Sequence, residues 1–136
     1  MSITQYIYSY LITFGVFLGI DSIWLTLVAP KFYQSQIGHL MKKDPNLLAA
    51  LIFYLIFIVG ILYFVIFPNL EQKTIYKVLL TGSLFGLVTY ATYDLTNLAV
   101  AKDWPLLVTI VDIIWVVVLS SLVAVVSFLL IKKFIL

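Results

Sequence analysis

WPLLVTIVDIIWVVVLSSLVAVVSFLLI, residues 104–131, is the run that decides the fold. Its one charged residue is Asp112. About 20 apolar residues suffice to cross a hydrocarbon core, so this run reads as a membrane-spanning helix. Working back along the chain, 75–99, 47–67 and 6–29 read the same way. The expected architecture is an all-α integral membrane protein: a four-transmembrane-helix up-down bundle forming a single domain over 1–136.

Composition agrees. The chain is 64% hydrophobic and 10% charged, with a mean hydropathy of +1.17. Soluble domains average about 45–50% apolar and about 25% charged residues. No interior of this size could hide the surplus, so the lipid bilayer is the first partner implied. All eight basic residues are lysines and the net charge is only +2, which argues against nucleic acid as a partner. There is no cysteine, so thiolate chemistry and disulfides are excluded.

Punctuation marks the span ends. Pro30 closes the first span and Pro68-Asn69 the second. Asp44-Pro45 opens the second span, with Asp44 as the expected N-cap, and Asp103-Trp104-Pro105 opens the fourth in the same manner. The first span lacks a preceding lysine and carries Asp21, so it reads as a retained helix rather than a signal peptide. Orientation is undecided. Lys73, Lys77, Lys132 and Lys133 fall on one side, and Lys31, Lys42, Lys43 and Lys102 on the other.

Three of the five aspartates lie inside the spans: Asp21, Asp94 and Asp112. Each costs about 2.5–3.5 kcal/mol at a helix centre on insertion scales, so something must compensate. Their depths coincide. Asp21 is nine residues before Pro30, Asp94 nine before Asp103, Asp112 nine after it, and Tyr54 nine after Pro45. At 1.5 Å per residue each is roughly 13 Å from the same face. That face carries the long first loop and the one histidine, His39.

Residues three or four apart share a helix face. Trp24 therefore accompanies Asp21, Trp115 accompanies Asp112, and Tyr90 and Asn97 flank Asp94. No lysine lies at this depth to neutralise the acids. They must be protonated, hydrogen-bonded to aromatic and amide groups, or holding a cation.

Other features read more plainly. Gly82 and Gly86, and Gly15 and Gly19, are small-residue pairs that let helices approach closely. Packing within the bundle is the preferred reading; a homo-oligomer through these glycine faces is the other. Asp21-Ser-Ile-Trp-Leu and Asp94-Leu-Thr-Asn-Leu hint at a weak duplication of two hairpins. Tyr6, Tyr8 and Tyr10 suit an interfacial belt, and Lys42-Lys43 a headgroup contact.

Asp21-x-x-Trp24, the run Tyr93-Asp94-Leu95-Thr96-Asn97, Trp104-Pro105 and Asp112-x-x-Trp115 together resemble a bacterial predicted-membrane-protein family, domain of unknown function 2177. The resemblance covers nearly the whole chain. It implies a four-span bacterial inner-membrane protein and implies no activity or cofactor.

The residues themselves point to a polar, aromatic-walled site that binds or carries a small cationic, amphipathic or proton-exchanging ligand. Asp21, Asp94 and Asp112 would supply charge, and Trp24, Trp115, Tyr54 and Tyr90 the walls. Asn97 would orient one carboxylate. One rival is an intramembrane enzyme acting on a lipid, using the same three acids, with His39, as acid–base groups or metal ligands. Another is a structural or partner-binding subunit. No recognisable hydrolase, nucleotide or zinc-protease motif is present.

Overall fold

The computed structural model describes residues 1–71 and 74–136. Lys73, one of the lysines counted for orientation, lies outside them. Helix α1 spans Ile3–Leu27 and starts in a capping box, in which Ser2 accepts from the Gln5 amide and Gln5 closes back on the Ser2 amide. The chain breaks at Val28 and continues as α2, Ala29–Ile37. Pro30 therefore does not end the first span. It sits in the first turn of α2, where its missing N–H costs nothing. The expected long loop is thus mostly this short helix and a 3₁₀ turn at Gly38–Leu40.

Helix α3 runs Leu47–Ile61 and is extended by a π-helical turn at Leu62–Ile66 and a 3₁₀ turn at Phe67–Asn69. Its cap is Asn46, which accepts from the Ala49 amide at 3.1 Å, and not Asp44. Helix α4 spans Tyr76–Val100 and α5 spans Leu106–Phe134. Pro105 occupies the cap position of α5 and no side chain caps it, so Asp103 is not its cap either. Asp103 instead takes the left-handed turn conformation, φ 59°, which aspartate tolerates better than most residues.

Among the described residues there is no strand. Four helical stretches, Ile3–Leu27, Leu47–Asn69, Tyr76–Val100 and Leu106–Phe134, are long and apolar enough to cross a membrane. Polarity runs inside out relative to a soluble protein. Leu11, Ile56, Leu84 and Ile114 are exposed, while Ser9, Thr13, Thr109, Ser120 and Ser127 are buried. In lipid the outer surface gains nothing from being polar, so hydroxyls are spent on the interior. The chain is an all-α membrane bundle and sits in a lipid bilayer.

Sequential helices run antiparallel. Gln5 at the start of α1 donates to the carbonyl of Ile135 just past α5, and Tyr6 meets Phe67 edge-on. Helix α5 is the most enclosed of the four. Its closest neighbour is α4, and two glycines set that distance. A Cβ on Gly86 would lie 2.5 Å from the Val116 carbonyl oxygen, and one on Gly82 would lie 3.0 Å from the Ala124 Cβ. This glycine face is consumed inside the chain and is not available to a second copy. A Cβ on Gly15 or Gly19 would meet nothing within 4 Å.

The hydrocarbon core lies toward the chain termini. Ile58, Ile61, Val65 and Ile66 of α3 interlock there with Val78 of α4 and with Val123, Phe128 and Ile131 of α5. Tyr10 is not simply a belt residue, since its hydroxyl donates to the Leu55 carbonyl at 2.9 Å. At the opposite end, His39 of the first connection lies 3.7 Å from Asp103 of the last, which places both connections on one face. Both side chains are well exposed, so this pair contributes little to stability.

Candidate functional site

The small-residue stripe that seats α4 on α5 also carries Asp94 inward. Gly82, Gly86, Tyr90 and Asp94 follow one another at four-residue spacing. Asp94 is 0% exposed. Its carboxyl neighbours the Asp112 carboxyl on α5, and neither of its oxygens has a hydrogen-bond partner. Two ionised carboxylates have no hydrogen to share, so a bond between them needs one proton held by the pair.

Asp112 has a second partner from an unexpected place. The Tyr33 hydroxyl, on α2, donates to its Oδ1. The Trp24 ring meets the Tyr33 ring edge-on, with centroids 6.4 Å apart. Burial, then the Asp112 carboxylate beside it, raises the Tyr33 phenol above its ordinary value, so it remains a donor at physiological pH.

Asp21 is served from the other direction. The Trp115 Nε1 donates to it at 3.3 Å, and the Tyr54 hydroxyl is within reach of the same carboxyl. The Trp24 and Trp115 rings stack, with centroids 4.7 Å apart and planes 8° from parallel. The two Asp-x-x-Trp motifs therefore interlock: the tryptophans stack on each other, Trp115 donates to the other helix's aspartate, and Trp24 packs on Tyr33, the donor to Asp112. This reciprocity joins α1 to α5, whereas the duplication suspected from the sequence would relate α1 to α4.

Between these groups lies a partly open cavity of about 120 Å³. Asp21, Trp24, Tyr54, Tyr90, Asp112 and Trp115 line it, together with Tyr33 and the rings of Phe17, Phe53 and Phe57. Asp21 and Asp112 are 7% and 5% exposed, so what little of them is accessible can face this space. A volume of this order admits several waters or an ammonium-sized cation. It is well below the roughly 300–1,000 Å³ of sites for drug-sized ligands.

Two of the eight residues singled out from the sequence do not line it. Asp94 sits behind Asp112. Asn97 is half-buried and neighbours Tyr93. The stacked indoles also leave no gap for a cation between them, so only their outer faces and edges serve as walls. The three-acid metal set is not formed: among the described residues no group of three His, Cys, Asp or Glu side chains is placed to hold a metal ion. Asp21 is turned to Trp115 and Tyr54 while the other two acids pair, and His39 faces Asp103.

Tyr33 is all but hidden in the sequence. The only signal was two aromatic residues, Phe32 and Tyr33, just after a helix-starting Pro30 in a segment read as loop. Trp104 is also anchored more firmly than an interfacial ring requires. Its Nε1 donates to Thr109 Oγ1 at 3.1 Å, and that hydroxyl lies 3.4 Å from the Asp94 carbonyl.

A family model described as Predicted membrane protein (DUF2177) matches residues 6–129. No curated protein and no solved structure matches the chain.

Proposed function

For a chain that belongs to the Predicted membrane protein (DUF2177) family, we propose the role of a small-cation binding or carrier protein in the bacterial inner membrane, loading its ligand in exchange for protons at Asp21 and Asp112. One observation carries this reading: both carboxyls lie on the wall of a single intramembrane cavity whose lining contains no lysine. A carboxylate in hydrocarbon is expensive, and a cavity walled by two of them is more expensive still. A bound cation or transferred protons would relieve that cost.

The hydrogen-bond pattern supports exchange rather than static neutralisation. Tyr33 donates to Asp112 and Trp115 donates to Asp21, and each bond leaves the carboxyl with lone pairs that a cation or a proton can take. The Asp94–Asp112 pair offers a proton reservoir one side chain away from the cavity. Proton and cation would then compete for the same oxygens.

The test uses methylammonium as the probe and purified protein in nanodiscs. Trp24 and Trp115 are two of the three tryptophans, so their fluorescence reports on the site. We expect saturable binding that weakens as pH is lowered and releases protons into weakly buffered solution. Asp21→Asn and Asp112→Asn should each weaken binding on the order of tenfold or more, the worth of one charge-assisted hydrogen bond. Folded Asn variants that bind like the parent, or a parent without saturable binding of methylammonium, ammonium or sodium, would overturn the reading.

A further inference from the structure

The acid cavity shares a wall with a second, larger space. Phe53, Phe57 and Tyr90 line both. The second space is an open groove of about 620 Å³ between α3 and α4. It arises from how α4 is seated. That helix packs along α5, held close by Gly82 and Gly86, and meets α3 chiefly at the π-helical turn. Beyond that turn, toward the connection face, α3 and α4 part. Ile56 and Phe64 on the groove are 65% and 64% exposed in the absence of lipid, so the opening faces the hydrocarbon of the bilayer.

We infer that the ligand is a single-chain alkylammonium that enters sideways from the membrane, with its amine between Asp21 and Asp112 and its chain in the groove between α3 and α4. The inference rests on the cation-binding reading above and names the ligand class for that site. The sizes of the two spaces fit the two halves of such a molecule. About 120 Å³ beside two carboxyls takes an ammonium group and little more. About 620 Å³ of mostly apolar lining falls in the range of roughly 300–1,000 Å³ that holds an extended organic ligand.

Charge selects against the commoner bilayer components. A phospholipid would bring a phosphate to a site whose ionisable groups are carboxyls and phenols, with no lysine in the lining of either space. A neutral lipid would leave the carboxyls uncompensated. The chain itself provides little selectivity, because moving it from lipid into an apolar groove exchanges one hydrocarbon environment for another. Discrimination must come from the ammonium, and this decides the experiment.

The parent protein in nanodiscs is photolabelled with a long-chain primary amine carrying a mid-chain diazirine, and separately with the alcohol of the same chain. The expected result is labelling of peptides covering 50–64 and 85–93 by the amine, on the order of tenfold above the alcohol. Asp21→Asn and Asp112→Asn should remove that excess, and methylammonium should compete with it. Ala50→Phe, which narrows the groove from an exposed position, should reduce amine labelling.

Equal labelling by amine and alcohol in a parent that still binds methylammonium would overturn the inference alone. It would make the groove a seat for bulk lipid chains and leave the cation site standing. Crosslinking of the groove to a second copy of the chain, in place of the amine, would overturn it too. A parent without saturable binding of methylammonium, ammonium or sodium would remove the cation-binding reading itself.

Discussion

Toward the termini, the space between α3, α4 and α5 is filled by Ile58, Ile61, Ile66, Val78, Val123 and Ile131, all at 0% exposure. Toward the connections, the same helices and α1 enclose carboxyls, phenols, indoles and a cavity. The first region is cohesive because branched side chains interdigitate there. The second is held by directional bonds, several of them to groups that can gain or lose a proton. A membrane protein has little hydrophobic force with which to gather its helices. One end of this bundle solves that problem by close packing, and the other by hydrogen bonds that also leave room for a ligand.

If this contrast is right, the two regions should fail differently. The largest effect is expected where the α4–α5 contact is closest. Gly86→Leu would drive a side chain into the Val116 carbonyl, costing about 3 kcal/mol, the upper end of ordinary overpacking. Reversible unfolding in mixed micelles would measure it, and a parent-like midpoint would mean that α4 and α5 are not seated as described. Ile61→Ala should cost less, about 1–2 kcal/mol. A water-soluble core loses about 2–5 kcal/mol for such a change, but here the helices separate into lipid and the transfer contribution largely drops out. Methylammonium binding should be unchanged by that substitution; a loss would show that the two regions are not separable.

Smaller effects belong to the polar end. Trp115→Phe retains a ring to stack on Trp24 but removes the donor to Asp21. A stability change of about 1 kcal/mol is expected, with methylammonium affinity altered more than the unfolding midpoint; the reverse order would make the indole a packing residue only. The smallest effect is local. Tyr33→Phe frees α2 from Asp112, and amide exchange in 29–37 should accelerate on the order of tenfold while the spans stay protected. Exchange rates equal to the parent's would mean that the Tyr33–Asp112 bond does not hold α2.

Tyr33 also makes a titration prediction. Its folded value is raised, so above about pH 10, where an unfolded tyrosine ionises, the folded state retains the proton. Through this group stability falls as pH rises above that point and is flat below it. In a spectrophotometric titration the parent and Tyr33→Phe should superimpose until the exposed tyrosines have ionised.

The difference between the regions also explains what the sequence reveals. Four long apolar runs broken by Pro30, Asp44-Pro45, Pro68 and Pro105 are enough to number the spans, because lipid demands continuous helices. Counting residues from those breaks gives depth, and depth was enough to group Asp21, Tyr54 and Asp112. It gives no azimuth. A spanning helix is apolar nearly all round, so periodicity does not say which neighbour each face meets. The Trp115–Asp21 bond across the bundle is therefore invisible in the sequence, and so is the neighbour that Asn97 meets, Tyr93. Tyr33 was hidden for another reason. It lies outside the spans, where short helices depend on tertiary contacts that leave no local pattern. Asn46 displaced Asp44 as a cap because cap position depends on where the helix starts, within a residue or two.

The interlocked Asp-x-x-Trp motifs also bear on how the protein is made. Asp21 belongs to the first of the four spans, and its indole partner lies 94 residues later. At about 5–20 residues per second of synthesis, the carboxyl waits roughly 5–20 s before Trp115 exists. Until α5 arrives Asp21 lacks its indole donor, so during biosynthesis the carboxyl is protonated or solvated by water or the insertion machinery, and it gains that hydrogen bond only once α5 packs against α1.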